Sequence, residues 1–161
     1  MIELEPATRF LPNQTQMGAD MVKSVSQKMG VKEETRTHFV NAPASSLTAI
    51  AHPSLNISKR LDGDFGYIHF FALTQVEMDN QFPKLKAHLA SSGMLWVSWP
   101  KARKLDTDLT LPQVIRIGYS HGLVESTALS IDDTWSALKF THPKHHKVYH
   151  NSFGQLAKPP S

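Results

Sequence analysis

The chain of 161 residues contains no cysteine. That excludes disulfide stapling, thiolate catalysis and any zinc site built on Cys, leaving His and carboxylates as the only metal ligands. No apolar stretch approaches the ~20 residues a membrane-spanning helix needs, so no membrane partner is expected. The first residues, Met1-Ile-Glu-Leu-Glu-Pro6, carry acids where a secretory signal has a basic start and an apolar run. A cytoplasmic location is expected. Glycine is missing where a nucleotide-binding α/β protein would use it most, as argued below. Acids are missing from the last stretch: Lys139 to Ser161 holds four lysines and four histidines and no Asp or Glu.

What is present describes an ordinary globular domain. Hydrophobic residues make up 40% and charged residues 19%, too apolar a balance for a disordered chain. The length suits one core. Residues 1–14, with Pro6 and Pro12 and no apolar period, read as an extended arm, residues 15–142 as a single domain, and residues 143–161 as a basic, His-rich, disorder-prone tail. Such a tail attracts nucleic acid weakly at most, and no specific nucleic-acid contact is expected from it.

Along the domain, Met17, Met21, Val22, Val25 and Met29 recur at spacings of three and four, predicting a helix that stops at Gly30. Arg36 to Asn41 is a β-prone run closed by Pro43, and Leu47 and Ile50 suggest a short helix after it. Leu55 to Lys59 reads as a weak strand. Tyr67 to Leu73 is almost continuously apolar, as strands covered on both faces are. Thr74-Gln-Val-Glu77 has capping-box spacing, so a helix starts there; Pro83 is expected to break or restart it, and Gly93 to stop it after Ser91 or Ser92. Met94 to Trp99 is the strongest strand, followed by a basic and polar loop from Lys101 to Thr110. Pro112, Val114, Ile115 and Tyr119 mark a last helix, ending at His121-Gly122. Leu123 to Ile131 and Trp135 to Thr141 form two strands whose short connection makes them antiparallel. Strands alternating with helices predict an α/β, three-layer, mainly parallel sheet with a C-terminal antiparallel hairpin.

The strand–helix–Gly–strand passage with its helix and terminal hairpin resembles the C-terminal half of Rossmann-like, S-adenosylmethionine-dependent methyltransferases, in which the last strand inserts antiparallel. More closely, Gly93-Met-Leu-Trp-Val-Ser-Trp-Pro-Lys101, Thr107-Asp-Leu109, Gly122-Leu-Val124 and Asp133-Thr-Trp-Ser-Ala-Leu-Lys-Phe140 resemble a family of short bacterial proteins of unknown function. The likeness covers roughly residues 18–142. Two departures stand out: Thr15 to Asp20 lies where family members carry Tyr-Ser-Gly-Thr-Pro-Leu, and Ala137 replaces a Gly that commonly follows Trp-Ser. The resemblance implies a fold and brings no settled activity with it; were the chain an enzyme, a divergent methyltransferase-like transferase is what it implies.

A dinucleotide or S-adenosylmethionine site in this architecture needs glycines after the first strand, so that the backbone can approach the ligand. Asn41-Ala-Pro-Ala-Ser-Ser46 has none, and Pro43 lacks an N–H as well. No cofactor is therefore expected. Asp62 or Asp64 could hold a ribose, but both sit among turn-forming residues. The C-terminal ends of the strands should bring Asn41, Thr74 and Trp99 near the Lys101 loop. There Lys101 and Arg103 could pair with a phosphate or carboxylate and Trp99 could stack on a planar group. Asp108 is a further candidate at that edge, although two residues before Thr110 it also suits the start of the following helix. Asp132 and Asp133 suit the hairpin turn. His142, His145, His146 and His150 invite a metal, but Pro143 disfavours the helix that would align them, so no metal site is assigned. His69, inside an apolar strand, reads as a hydrogen-bonded core residue. No Gly-x-Ser-x-Gly elbow, Walker loop or His-Glu-x-x-His occurs. The expected function is a non-catalytic binding or regulatory module for an unknown small molecule or protein. The alternative is an anion- or nucleotide-binding protein, or an enzyme, using the C-terminal edge of the sheet.

Overall fold

The structure, a computed structural model, describes residues 23–50 and 54–156. The arm at 1–14, together with Met17, Met21 and Val22, lies outside the described residues.

The elements follow the expected order. Helix α1 (Val25–Met29) is started by a capping box between Ser24 and Gln27 and ended by Gly30, whose φ of 82° is the left-handed conformation glycine accepts without a Cβ penalty. Strand β1 (Arg36–Val40), helix α2 (Ala44–Ile50) and the two-residue β2 (Asn56–Ile57) follow. Then come β3 (Phe65–Phe71), α3 (Gln75–Ala87), β4 (Leu89–Pro100), α4 (Leu111–Ser120), β5 (Val124–Ser130) and β6 (Trp135–Thr141). They build one six-stranded sheet in the order β2-β1-β3-β4-β6-β5. The ladders among β1, β2, β3 and β4 are parallel, and β6 is inserted antiparallel between β4 and β5.

Alternating side chains send the strands' apolar residues into two cores, one on each face of the sheet. On one face Ile68, Phe70, Leu95, Val97, Leu138 and Phe140 meet α3 and α4 through Met78, Phe82, Val114 and Ile117. On the other, Tyr67, Phe71, Trp96, Trp135 and Ala137 meet α1 and α2 through Met29 and Ile50. This is the three-layer α/β arrangement expected of a methyltransferase-like fold.

Two boundaries differ from the sequence expectation. Helix α3 runs unbroken through Pro83 and ends at Ala87, four residues or more before the anticipated stop. Leu89 already pairs with Phe65, so β4 begins well before Met94. Gly93 is thus a strand residue. It lies at the irregularity where Phe65 and Tyr67 shift register, and a Cβ there would come within 2.7 Å of the Phe65 carbonyl oxygen. Close backbone approach, not helix termination, accounts for this glycine. The basic loop is also tighter than expected, folding into two left-handed turns, Ala102–Arg103 and Leu105–Asp106, joined by an extended Lys104.

The stretch after β6 returns to the body of the protein through residue 156. Tyr149 and Leu156 pack against the α3–α4 core, and Asn151 Nδ2 donates to Glu125 Oε1 at 2.9 Å. Among the described residues no helix is long and apolar enough to cross a membrane.

Candidate functional site

Strand β1 pairs with β2 on one side and β3 on the other, so the chain leaves β1 in opposite directions. The crevice beyond the C-terminal ends of β1 and β3 is where open α/β sheets bind ligands. Asn41 stands at its mouth with φ of 58°, a left-handed conformation that Asn tolerates better than most residues. Its Nδ2 donates to Glu77 Oε2 at 3.2 Å, and Glu77 Oε1 accepts from Leu73 N at 2.9 Å. A single carboxylate therefore ties the end of β1 to the end of β3. Thr74 is the N-cap of α3, its Oγ1 accepting from Glu77 N at 3.0 Å. The box foreseen in Thr74–Glu77 is thus half realised: Glu77 returns to Leu73 rather than to Thr74, which leaves its second oxygen for Asn41. Beyond Asn41, Ala42 packs into the α1–α2 core, and the buried Ser46 of α2 donates to Asp132 Oδ2 at 2.9 Å. The loop after β1 is bonded and packed to its surroundings on both sides.

Asp108 joins this group, in a role other than the one its position suggested. Its Oδ1 accepts from Gln75 N at 2.8 Å, and its main-chain oxygen accepts from Gln75 Nε2 at 2.9 Å. It caps the helix before it, not the helix after it, which starts at Thr110 without a side-chain cap. The first N–H groups of α3 have no partner within the helix, and a carboxylate there also meets the positive end of its dipole. Thr107 Oγ1 donates to Leu73 O at 2.5 Å, fixing the end of the basic loop against the end of β3.

Trp99, Lys101 and Arg103 form a second group, on the side of the β5–β6 hairpin. Trp99 is 6% exposed and belongs to the α3–α4 core. Lys101 Nζ donates to Ser130 Oγ at 2.6 Å, and Lys104 Nζ donates to Asp133 O at 3.0 Å. Both ammonium groups thus rest on uncharged oxygens. Arg103 is exposed and, among the described residues, makes no hydrogen bond or ion pair. Ala102, Arg103, Leu105 and Asp106 all have φ between 52° and 58°. Non-glycine residues seldom adopt this region, at a cost of roughly 1–3 kcal/mol each, and such strain gathers at functional loops.

Asp62 and Asp64 do not reach the ligand edge. Arg36 NH2 pairs with Asp62 Oδ1 at 2.9 Å, and Arg36 NH1 donates to the main-chain oxygens of Asp62 and Asp64. Arg36 begins β1, so both acids stand at the opposite edge of the sheet from Asn41 and cannot hold a ribose there. The hairpin reading of Asp132 holds: its Oδ1 accepts from Thr134 N and Trp135 N. His69 is fully buried, with Nδ1 hydrogen-bonded to Tyr67 Oη and Nε2 to Ser98 Oγ, both at 2.7 Å. Burial pushes its pKa down to about 3 and that of Tyr67 up. Tyr119 is pushed up to about 12, by burial first and then by its hydrogen bond to Glu125 and the charge of that carboxylate. Among the described residues no three His, Asp or Glu side chains cluster as a metal site would require.

Sequence reasoning missed Glu77, Ser46 and Ser98 as partners in these networks. Glu77 alone had a signal, in the capping-box spacing.

The residues present do not fit S-adenosylmethionine in the manner of this fold. No glycine follows β1, the crevice is spanned by Asn41, Glu77 and Leu73, and the acids after β2 serve the other edge.

No protein-family model matches the chain, and no curated protein does. Among solved structures, the chain is similar to magnesium protoporphyrin IX methyltransferase from Synechocystis PCC 6803, with TM-score 0.51, 7% identity and coverage of 81% of this chain and 80% of that one. It is similar to a TehB-like SAM-dependent methyltransferase from Corynebacterium glutamicum, with TM-score 0.50, 9% identity and coverage of 81% and 94%. A precorrin-6y C5,15-methyltransferase from Geobacter metallireducens gives TM-score 0.50, 8% identity and coverage of 74% and 86%. At these identities the likeness is one of fold.

Proposed function

We propose that the chain is a non-catalytic binding or regulatory module on a reduced methyltransferase-like fold. The observation carrying this reading is the bridge from Asn41 Nδ2 through the Glu77 carboxylate to Leu73 N, in the crevice where the fold would otherwise admit a nucleotide. A carboxylate with both oxygens engaged presents negative charge to any incoming phosphate and occupies Leu73 N and one N–H of Asn41 Nδ2. The lack of cysteine favours a cytoplasmic setting, and the motif resemblance favours a bacterial one.

A second reading, a small-anion site on Lys101 and Arg103, is favoured by the strained turn that presents them and by Arg103 having no partner of its own. A thermal-shift screen separates the two. Ligand at ~100 times its dissociation constant adds ~2.7 kcal/mol to stability. The module reading expects no shift with S-adenosylmethionine. The anion reading expects a shift with phosphate or a simple carboxylate that disappears in Lys101→Ala and Arg103→Ala. A shift that both variants retain would remove that site from consideration.

A further inference from the structure

Beside Lys101 the protein leaves a recess that neither core fills. A cavity of about 310 Å³ opens next to Trp99, between Leu111 at the start of α4 and Ala128, Leu129 and Ser130 of β5. That size lies at the lower end of the roughly 300–1,000 Å³ usual for small-molecule sites. Its walls are mostly hydrocarbon, from the Trp99 indole, Leu111 and Ala128, with the backbone of Leu129 and Ala137, whose side chains turn to the α1–α2 core, completing the lining. Leu111 is 40% exposed, apolar surface left to water at the mouth of the recess. No carboxylate lines it. The polar groups are hydroxyls, and one of them, Ser130 Oγ, receives the Lys101 ammonium. The β5–β6 ladder shifts register between Glu125 and Ala128, immediately before the residues that form the wall. Irregularities of this kind re-aim side chains and recur beside binding sites.

We propose that this recess binds a small amphiphilic anion, a compact apolar body carrying one carboxylate, with the body against Trp99, Leu111 and Ala128 and the carboxylate on Lys101. The inference rests on the anion reading above and adds the chemical class of the ligand. The ammonium has three N–H donors and spends one on Ser130, so donors remain for a carboxylate in a charge-assisted bond. An inorganic anion would use the charge and leave the recess empty; an uncharged apolar molecule would fill the recess and leave the charge unmet. Only a ligand with both parts matches both.

The test uses octanoate as probe, with octan-1-ol and acetate as the two halves of its chemistry, followed by amide NMR shifts and Trp fluorescence of the full chain. Octanoate is expected to saturate, with shifts centred on residues 128–130 and Trp99, and both octan-1-ol and acetate to bind at least about tenfold more weakly because each lacks one contribution. Ala128→Trp, at an exposed position, is expected to plug the recess and abolish the response. Leu111→Asp is expected to weaken octanoate more than octan-1-ol, because it removes apolar wall from both and adds repulsion for the carboxylate alone. Lys101→Met is expected to bring octanoate down to the level of octan-1-ol. If acetate binds as well as octanoate and Lys101→Met abolishes both, the anion reading stands and the amphiphile proposal is overturned. If no probe binds, the amphiphile proposal is overturned, and the anion reading falls with it when phosphate also gives no shift. Octanoate shifts that survive Ala128→Trp and Leu111→Asp also overturn the proposal.

Discussion

His69 sits fully buried between two hydroxyls, its ring stacked on Phe71 at 4.4 Å. A neutral imidazole offers one donor and one acceptor, which suits Tyr67 and Ser98 together. Its folded pKa of about 3 lies below the ~6.5 of an unfolded chain, so on acidification the unfolded state takes up the proton first. The stability His69 confers is therefore complete above about pH 6.5 and drains as pH falls towards 3, at up to ~1.4 kcal/mol per pH unit. Urea unfolding of wild type and His69→Gln should show a stability difference that narrows between pH 7 and pH 5; a constant difference would refute the assignment. Gly118 makes a second residue-scale case. Glycine inside a helix costs about 0.5–1 kcal/mol relative to Ala, yet a Cβ at this point of α4 would run into the buried Phe140 ring. Gly118→Ala should destabilise by roughly 1–3 kcal/mol in chemical denaturation, the reverse of what helix propensity alone expects. His69 could be read as core from the apolar run around it. Ser98 could not, because a serine in a strand carries no sign of which strand's side chain it will meet.

Helix α3 owes its start to two capping groups from different parts of the chain. Thr74 supplies the local one and Asp108 the distant one, each satisfying an N–H that the helix cannot. Asp108→Ala should cost about 1 kcal/mol, while Glu33→Ala, at an exposed position where no side-chain hydrogen bond is lost, should stay within about 0.5 kcal/mol. Thermal or urea melts of the two variants would distinguish them, and equal losses would contradict the capping role. The local half of this device was legible, since Thr74 and Glu77 stand three apart. The distant half was not, because proximity to α4 in sequence favoured the wrong helix for Asp108. The end of α3 was equally ambiguous: Leu89 continues the spacing of Phe82 and Leu85 and also suits a strand. Pairing with Phe65 decides for the strand, a choice made by the sheet and not by the segment itself.

At the scale of the whole molecule, the alternation of strands and helices made the sheet and its covering layers readable, because a strand buried on both faces and a helix with one apolar face leave different periodicities. The filling of the ligand edge was less readable. Asn41's lack of glycine neighbours was visible, whereas Glu77, thirty-six residues further on, reaches it only once β1 and β3 lie side by side. The same holds for the stretch after β6: its basic composition reads as solvated, while Tyr149 and Leu156 contact the core and Asn151 shares Glu125 with Tyr119. Truncation after His142 should accordingly lower stability by roughly 1–3 kcal/mol, as thermal unfolding would report; an unchanged melt would mean these contacts contribute nothing. The central claim concerns the crevice between β1 and β3, and calorimetric titration with S-adenosylmethionine tests it most directly. The account predicts no saturable heat at ligand concentrations up to ~1 mM; micromolar binding accompanied by methyl transfer to any acceptor would contradict it.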